Sequence, residues 1–273
     1  MEEGGLLKRL LKSLFLFILC AFLLAGCAVD KEGINTLVEA FKPRNVNGEM
    51  KEVTLVSDSA VIAKSLEFNK ISFMDTANAK IKIIPSDKTM VEARYPAAME
   101  DYGFKVEIRV GKVIITADKQ TNFIADEFEI IVYSNIENIR FSGAVSLEMD
   151  AASSRKINFD VAGGADIDVY NLDVSETEIL VNGAATLGFS GKSESFDLEL
   201  NGVGVIDAKE LVCKNAEAKI SGAGAAELSV TDELSIDIDG VGQLSYYGSP
   251  KVTNISGGLT NVKQASEEVY SKE

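Results

Sequence analysis

The sequence predicts an all-β chain, a right-handed parallel β-helix with coils of about 20 residues, on three observations. A short unit ending in glycine recurs at a near-constant step, apolar residues around it alternate with a period of two, and the position just beyond it is small. The units are Phe141-Ser142-Gly143, Val161-Ala162-Gly163, Val181-Asn182-Gly183, Leu200-Asn201-Gly202, Ile220-Ser221-Gly222, Ile238-Asp239-Gly240 and Ile255-Ser256-Gly257. Their glycines step by 20, 20, 19, 20, 18 and 17 residues. A fixed period of this size marks architectures in which each unit packs only on its neighbours.

Within a unit the apolar positions are those of a strand. Two residues before the glycine stand Phe141, Val161, Val181, Leu200, Ile220, Ile238 and Ile255, and four before stand Ile139, Phe159, Ile179, Leu198 and Ile236. Four after come Leu147, Ile167, Leu187, Ile206, Ala226 and Leu244, and six after come Met149, Val169, Phe189, Ala208, Leu228 and Tyr246. Alternation of this kind puts every second side chain on one face. Two after the glycine the same series holds Val145, Ala165, Ala185, Gly204, Gly224 and Gly242, which reads as a corner with little room on its inside. The unit is therefore read as strand, corner, strand and turn.

Such a unit leaves its backbone donors and acceptors unpaired above and below, and stacking pairs them as parallel strands about 4.8 Å apart. Each inward side chain then gains roughly 1.5–3 kcal/mol from burial, and parallel crossovers are normally right-handed. Helical solenoids need spacings of three and four within the unit, which are missing here. Runs such as 104–110 and 128–133 make residues 66–140 mostly β as well. Their repeat is irregular, so wider coils or a small capping sheet are expected there.

The amino-terminal segment reads as an address. Lys8, Arg9 and Lys12 precede the apolar run Leu14–Leu24, and Ala25-Gly26-Cys27 supplies small residues at a cleavage site. The run is short of the roughly 20 residues needed to span a bilayer core. Leu24-Ala25-Gly26-Cys27 resembles a bacterial lipobox, which implies lipidation of Cys27 with acyl chains such as palmitate. Two or more chains make a stable anchor. Residues 1–26 are thus expected to be a lipoprotein signal peptide, 27–52 a lipid anchor and flexible tether, 53–262 the β-helix domain and 263–273 a charged tail. Cys20 would leave with the signal, so Cys213 has no thiol to pair with inside the domain.

Composition narrows the chemistry. The 273 residues contain no His and no Trp, which removes Ser-His-Asp and Cys-His nucleophiles and every metal site that needs imidazole. Asp and Glu number 42 against 27 Lys and Arg, a net charge of -15 that repels a phosphate backbone, so nucleic acid is not an expected partner.

The segments Leu66-Glu67-Phe68-Asn69-Lys70-Ile71, Ile136–Gly143, Ile220-Ser221-Gly222-Ala223-Gly224, Ile238-Asp239-Gly240-Val241-Gly242 and Tyr247-Gly248-Ser249-Pro250 resemble the head GIN domain family of putative autotransporter adhesins. The resemblance covers about residues 53–262. It implies a right-handed β-helix on an exported, often lipid-anchored bacterial protein, and it supplies no catalytic residues. Val145, Ala165 and Ala185 stand where the family commonly has a second glycine, and no autotransporter barrel follows.

Glu148, Asp168, Asp207 and Glu227 fall five after the glycine and should form an outward acidic column, interrupted by Gly188 and ended by Ser245. Stacked carboxylates are calcium candidates, although a solvated face gives the same pattern. Asp166 with Asp168, and Asp237 with Asp239, could share a face as glycosidase carboxylates, but the chain lacks the aromatic platforms of polysaccharide enzymes. Cys213 reads as a packing residue and Tyr246-Tyr247 as one ring inward and one outward. No cofactor is expected. The reading is a non-enzymatic lipoprotein of the bacterial cell envelope. It is held on the exported side of a membrane through Cys27, and it binds a glycan, a cell-surface ligand or another extracellular polymer. A polysaccharide-processing enzyme and a periplasmic scaffold or sensor for a membrane partner are the alternatives.

Overall fold

The computed structural model describes residues 43–58, 60–73, 79–125, 127–151, 155–256 and 259–265. The signal segment 1–26, Cys27, Gly257 and residues 266–273 lie outside them, as do the side chains of Val145 and Leu147.

Twelve strands form the described chain. In order they are β1 (Pro43–Asn45), β2 (Met50–Val56), β3 (Ser65–Phe73), β4 (Ala79–Ile84), β5 (Met90–Pro96), β6 (Lys105–Arg109), β7 (Lys112–Ile124), β8 (Phe128–Tyr133), β9 (Asn138–Ala151), β10 (Lys156–Tyr247), β11 (Lys251–Ser256) and β12 (Leu259–Gln264). A 3-10 turn, Ala97–Tyr102, separates β5 from β6 and ends at Gly103 in the left-handed conformation. Strands β1 and the first residues of β2 fall within the stretch expected to be a tether. β1 pairs with β7 and β2 with β5, so the sheet already begins at Pro43.

The expected right-handed parallel β-helix is corrected by this topology. The strands build one nearly closed, barrel-like mixed sheet, in the order β1-β7-β3-β9-β4-β8-β5-β2, with β10 pairing β9, β11 and β12. Three of its pairings are antiparallel, β2 with β5, β5 with β8 and β6 with β7. The cause is local. Arg109 faces Lys112 across the two residues Val110-Gly111, and Gly111 takes a φ of 75°, so the chain turns straight back instead of crossing over. The expected turns are also missing inside β10, which stays in sheet hydrogen bonding for 92 residues.

Parallel pairing holds from β9 onward. Asn158 to Tyr170 lie beside Asn138 to Asp150, and Gly163 faces Gly143. Within β10 the glycines continue the contact. A Cβ on Gly183, Gly202, Gly222 or Gly240 would fall on the carbonyl oxygen of Gly163, Gly183, Gly202 or Gly222 respectively. These four have φ between 131° and 148°, a region that side chains strain to reach. Two residues on, Ala165 and Ala185 are buried at the positions that Gly204 and Gly224 take in later segments, so a methyl group fits there.

The inward residues read from the sequence meet in a common core. Val161, Val181, Leu200 and Ile220 are all at most 1% exposed. Near the amino-terminal strands the core is aromatic, with Phe68 stacked on Phe141 at 4.8 Å and Phe104 packed edge-on against Tyr95 at 4.6 Å. Buried hydroxyls there are satisfied by backbone. Ala63 N–H donates to Thr89 Oγ1 at 2.7 Å, and Ser134 Oγ donates to Ala63 O at 2.7 Å. Tyr246 and Tyr247 are both half-buried, and Tyr246 is the one that packs against the core.

Substituting Gly202→Ala is expected to destabilise the fold by about 3 kcal/mol or more, because both the φ and the approach of Gly183 O forbid a methyl group. Gly204→Ala, whose Cβ would sit 3.0 Å from Ala185 O and 3.1 Å from Leu200, should cost well under that. Chemical denaturation of the two variants measures the difference.

Candidate functional site

Residues two apart on a strand point to the same side. The apolar positions two and four before each glycine face the core, so positions three and five before it face outward. They are Arg140, Asp160, Leu180, Glu199 and Lys219 in one row, and Asn138, Asn158, Glu178, Asp197 and Glu217 in the other. Together with Glu67 and Lys112 they line an open groove of about 510 Å³.

The cations of this groove are matched from within, and its carboxylates outnumber them. Lys112 Nζ lies 2.7 Å from Glu67 Oε1, Arg140 Nε 2.9 Å from Asp160 Oδ2, and Lys219 Nζ 2.7 Å from Glu217 Oε1. Amides run along the strands' stacking direction. Asn158 Nδ2 donates to Asn138 Oδ1 at 3.0 Å, and Asn158 Oδ1 is buried without a hydrogen-bond donor. In the row next to the glycines, Asn201 Nδ2 donates to Asn182 Oδ1 at 3.3 Å and to Glu199 Oε1 at 2.8 Å.

One carboxylate cluster forms among the described residues. Oxygens of Glu176, Glu178 and Asp197 lie within 4.8 Å of one another. The Lys156 ammonium sits on two of them, 3.0 Å from Glu176 and 2.7 Å from Glu178. It is held protonated chiefly by its hydrogen bond to Glu178, and it draws Glu176 below the usual carboxylate range. Asp197 is pushed up, first by burial and then by Glu217, Glu178 and Glu176, against a hydrogen bond from Ser195 that lowers it. The positive charge that such a cluster calls for is thus supplied by the chain.

The four calcium candidates do not gather into a three-carboxylate cluster. Glu148 lies beside Asp168 in register, and the Asp168 carboxylate occupies the space over Gly188 that a side chain there would need. Lys209 Nζ sits 2.9 Å from Asp207 and 3.9 Å from Glu227, so half of the column is neutralised internally. Asp168 is raised by burial, then by Glu148 and Asp207. Ser245, expected to end the column outward, is buried. Asp237 and Asp239 line a smaller groove of about 170 Å³ with Glu199, Asn201, Lys219 and Ser221, none of them aromatic. Cys213 is buried, donates its Sγ–H to Ser229 O at 3.1 Å, and has its thiol pushed up by burial to about 12.

The groove residues, apart from Glu67 and Lys112, follow from the same glycine register that gave the acidic column, read backward from the glycine instead of forward. Lys156 carried no such signal, since its partners Glu176 and Glu178 are some 20 residues away in sequence and meet it only through the sheet.

Residues 67–250 match the family described as putative auto-transporter adhesin, head GIN domain. The chain belongs to this family. The fold of the chain is similar to that of solved structures at low identity. A putative adhesin from Bacteroides fragilis is 18% identical, with a TM-score of 0.64, over 81% of this chain and 100% of its own. A putative adhesin from Parabacteroides merdae is 16% identical, with a TM-score of 0.54, over 82% of this chain and 99% of its own. A putative lipid binding protein from Parabacteroides distasonis is 17% identical, also at 0.54, over 82% of this chain and 100% of its own. No curated protein matches the chain significantly. Among the described residues of this head GIN domain, no helix is long and apolar enough to cross a membrane.

Asp197→Asn is expected to raise Tm at pH 7 by roughly 1–3 °C, a small gain because the site is partly exposed and screened. A carboxyl whose folded value is raised takes up its proton first in the folded state. The wild type therefore regains stability as pH falls through that raised value toward 3.8, and the gap to the variant closes. Thermal melts of both proteins between pH 7 and pH 4 check the sign.

Proposed function

We propose that the protein is a non-enzymatic binding module held at the exported side of a bacterial membrane through lipidated Cys27, where its polar groove retains an extracellular or envelope polysaccharide. The observation that carries this reading is the groove's rows of amides and carboxylates, repeated at the strand spacing of about 4.8 Å. That spacing is comparable with the length of one sugar ring, so successive rings of an extended chain meet successive donors and acceptors such as Asn138, Asn158 and Glu178. The family's description as an adhesin head agrees with it. Cys213 is not equipped as a nucleophile, since its thiol is buried and strongly disfavoured from ionising.

Screening the purified protein against a glycan array and immobilised envelope polysaccharides should reveal retention on at least one polymer. Asn138→Ala with Asn158→Ala should lower the affinity about ten-fold, the loss expected for one or two hydrogen bonds. No retention on any polymer, or retention that the double variant leaves intact, overturns the reading. Independently, Cys27→Ser should move the protein from the membrane fraction to the soluble one, and intact mass should show the missing lipid.

A further inference from the structure

The cations of the groove are all engaged, and some of its carboxylates are not. Lys112, Arg140 and Lys219 pair with Glu67, Asp160 and Glu217, and Lys156 reaches Glu178 from outside the lining. Asp197 and Glu199 form no ion pair among the described residues. Asp197 accepts a hydrogen bond from Ser195 Oγ at 3.3 Å, and Glu199 one from Asn201 Nδ2 at 2.8 Å. The smaller groove adjoins the first through Glu199 and Lys219, which line both, and it adds Asp237 and Asp239. These two also form no ion pair among the described residues.

Asp197 with Glu199, and Asp237 with Asp239, are each two residues apart on β10, so both members of a pair point to one side. The chain itself shows what such a pair accepts. Glu176 and Glu178 are spaced in the same way, and the single ammonium of Lys156 lies 3.0 Å from one and 2.7 Å from the other. The contacts of Gly202, Gly222 and Gly240 set Lys219 between Glu199 and Asp237, so the two pairs lie two strand spacings apart, about 10 Å. That is the length of two sugar rings on the same measure. A neutral chain would leave these carboxylates facing hydroxyls, and Asp197 is already pushed up by burial and by the carboxylates around it. The other half of the groove presents the amides Asn138 and Asn158, and Asn158 Oδ1 is buried without a donor. Donors, charged and uncharged, are what this face is short of.

Resting on the polysaccharide reading above, we propose that the groove selects a polymer of amino sugars whose nitrogens are free rather than acylated. One ammonium lies between Asp197 and Glu199, and a second, two rings on, between Asp237 and Asp239. Uronic-acid chains are rejected by repulsion, and fully acylated chains lack both contacts.

Isothermal titration of the purified protein tests this at about pH 6, where carboxylates ordinarily carry charge and amines are protonated. The probes are hexasaccharides of glucosamine, of N-acetylglucosamine and of galacturonic acid. The glucosamine chain should bind at least about ten-fold more tightly than the N-acetylated one, and the uronic-acid chain more weakly than either. Raising salt from about 0.05 M to about 0.5 M should narrow that preference. Asp197→Asn with Glu199→Gln, near-isosteric changes at sites that are not fully buried, should erase most of it. Equal affinity for the glucosamine and N-acetylated chains, or a preference that the double variant keeps, overturns the inference and leaves the polysaccharide reading standing. So does a lysine hexapeptide that binds as tightly as the glucosamine chain, since the carboxylates then take any polycation. Binding of none of the three sugars overturns the inference as well, while the reading beneath it falls only if the array and the immobilised polymers also retain nothing.

Discussion

Backbone approaching backbone along the glycine column is the contact on which the rest of this sheet depends. At Gly183, Gly202, Gly222 and Gly240 the carbonyl of the preceding segment occupies the place of a side chain. Strand pairing there is a matter of hydrogen bonds and of the absence of a Cβ. Because the contact fixes each segment against its neighbour, it also fixes the side chains two and four positions away, which fill the core, and those three and five away, which do not.

The outer face inherits that order. Residues that are 19 or 20 apart in sequence become neighbours about a strand spacing apart, and the pairs Arg140–Asp160 and Lys214–Glu194 are direct products of it. Where the register instead aligns carboxylates, the chain answers in two ways. Lys156 and Lys209 are placed among them as resident cations, and Asp168 and Asp197 are left with raised values, first through burial and then through the carboxylates around them. The outcome is a face rich in acceptors whose shape is set by the backbone beneath it.

Much of this was legible in the sequence, and the part that was not has a physical reason. Alternation identified Val161, Val181, Leu200 and Ile220 as buried because a period of two is a property of one strand by itself. It carries no information on which way the partner runs, so the antiparallel strands β2, β5 and β6 were invisible until the two-residue return at Val110-Gly111 is seen to reverse the chain. The step of the glycines was legible, yet the turns expected between strands are replaced by unbroken sheet in β10, since a gentle bend needs no special residues once both neighbours keep it bonded. Family membership was readable from the same glycine units. The groove was less so, because outward polar residues look alike in sequence and only their arrangement in rows, one strand above another, makes them a surface.

The internal pairing of the groove's cations has a consequence for the setting in which such a face works. Lys112, Arg140 and Lys219 each already hold a carboxylate at 2.7–2.9 Å, so the groove has no spare cation, and its further carboxylates Glu178, Asp197 and Glu199 leave the face net negative. Dissolved electrolyte weakens long-range attraction over distances of about 8–10 Å at ordinary ionic strength but leaves short contacts to hydroxyl groups almost untouched. An uncharged molecule would meet this face alike in brine and in fresh water, whereas an anionic one would be repelled most where dissolved electrolyte is scarce.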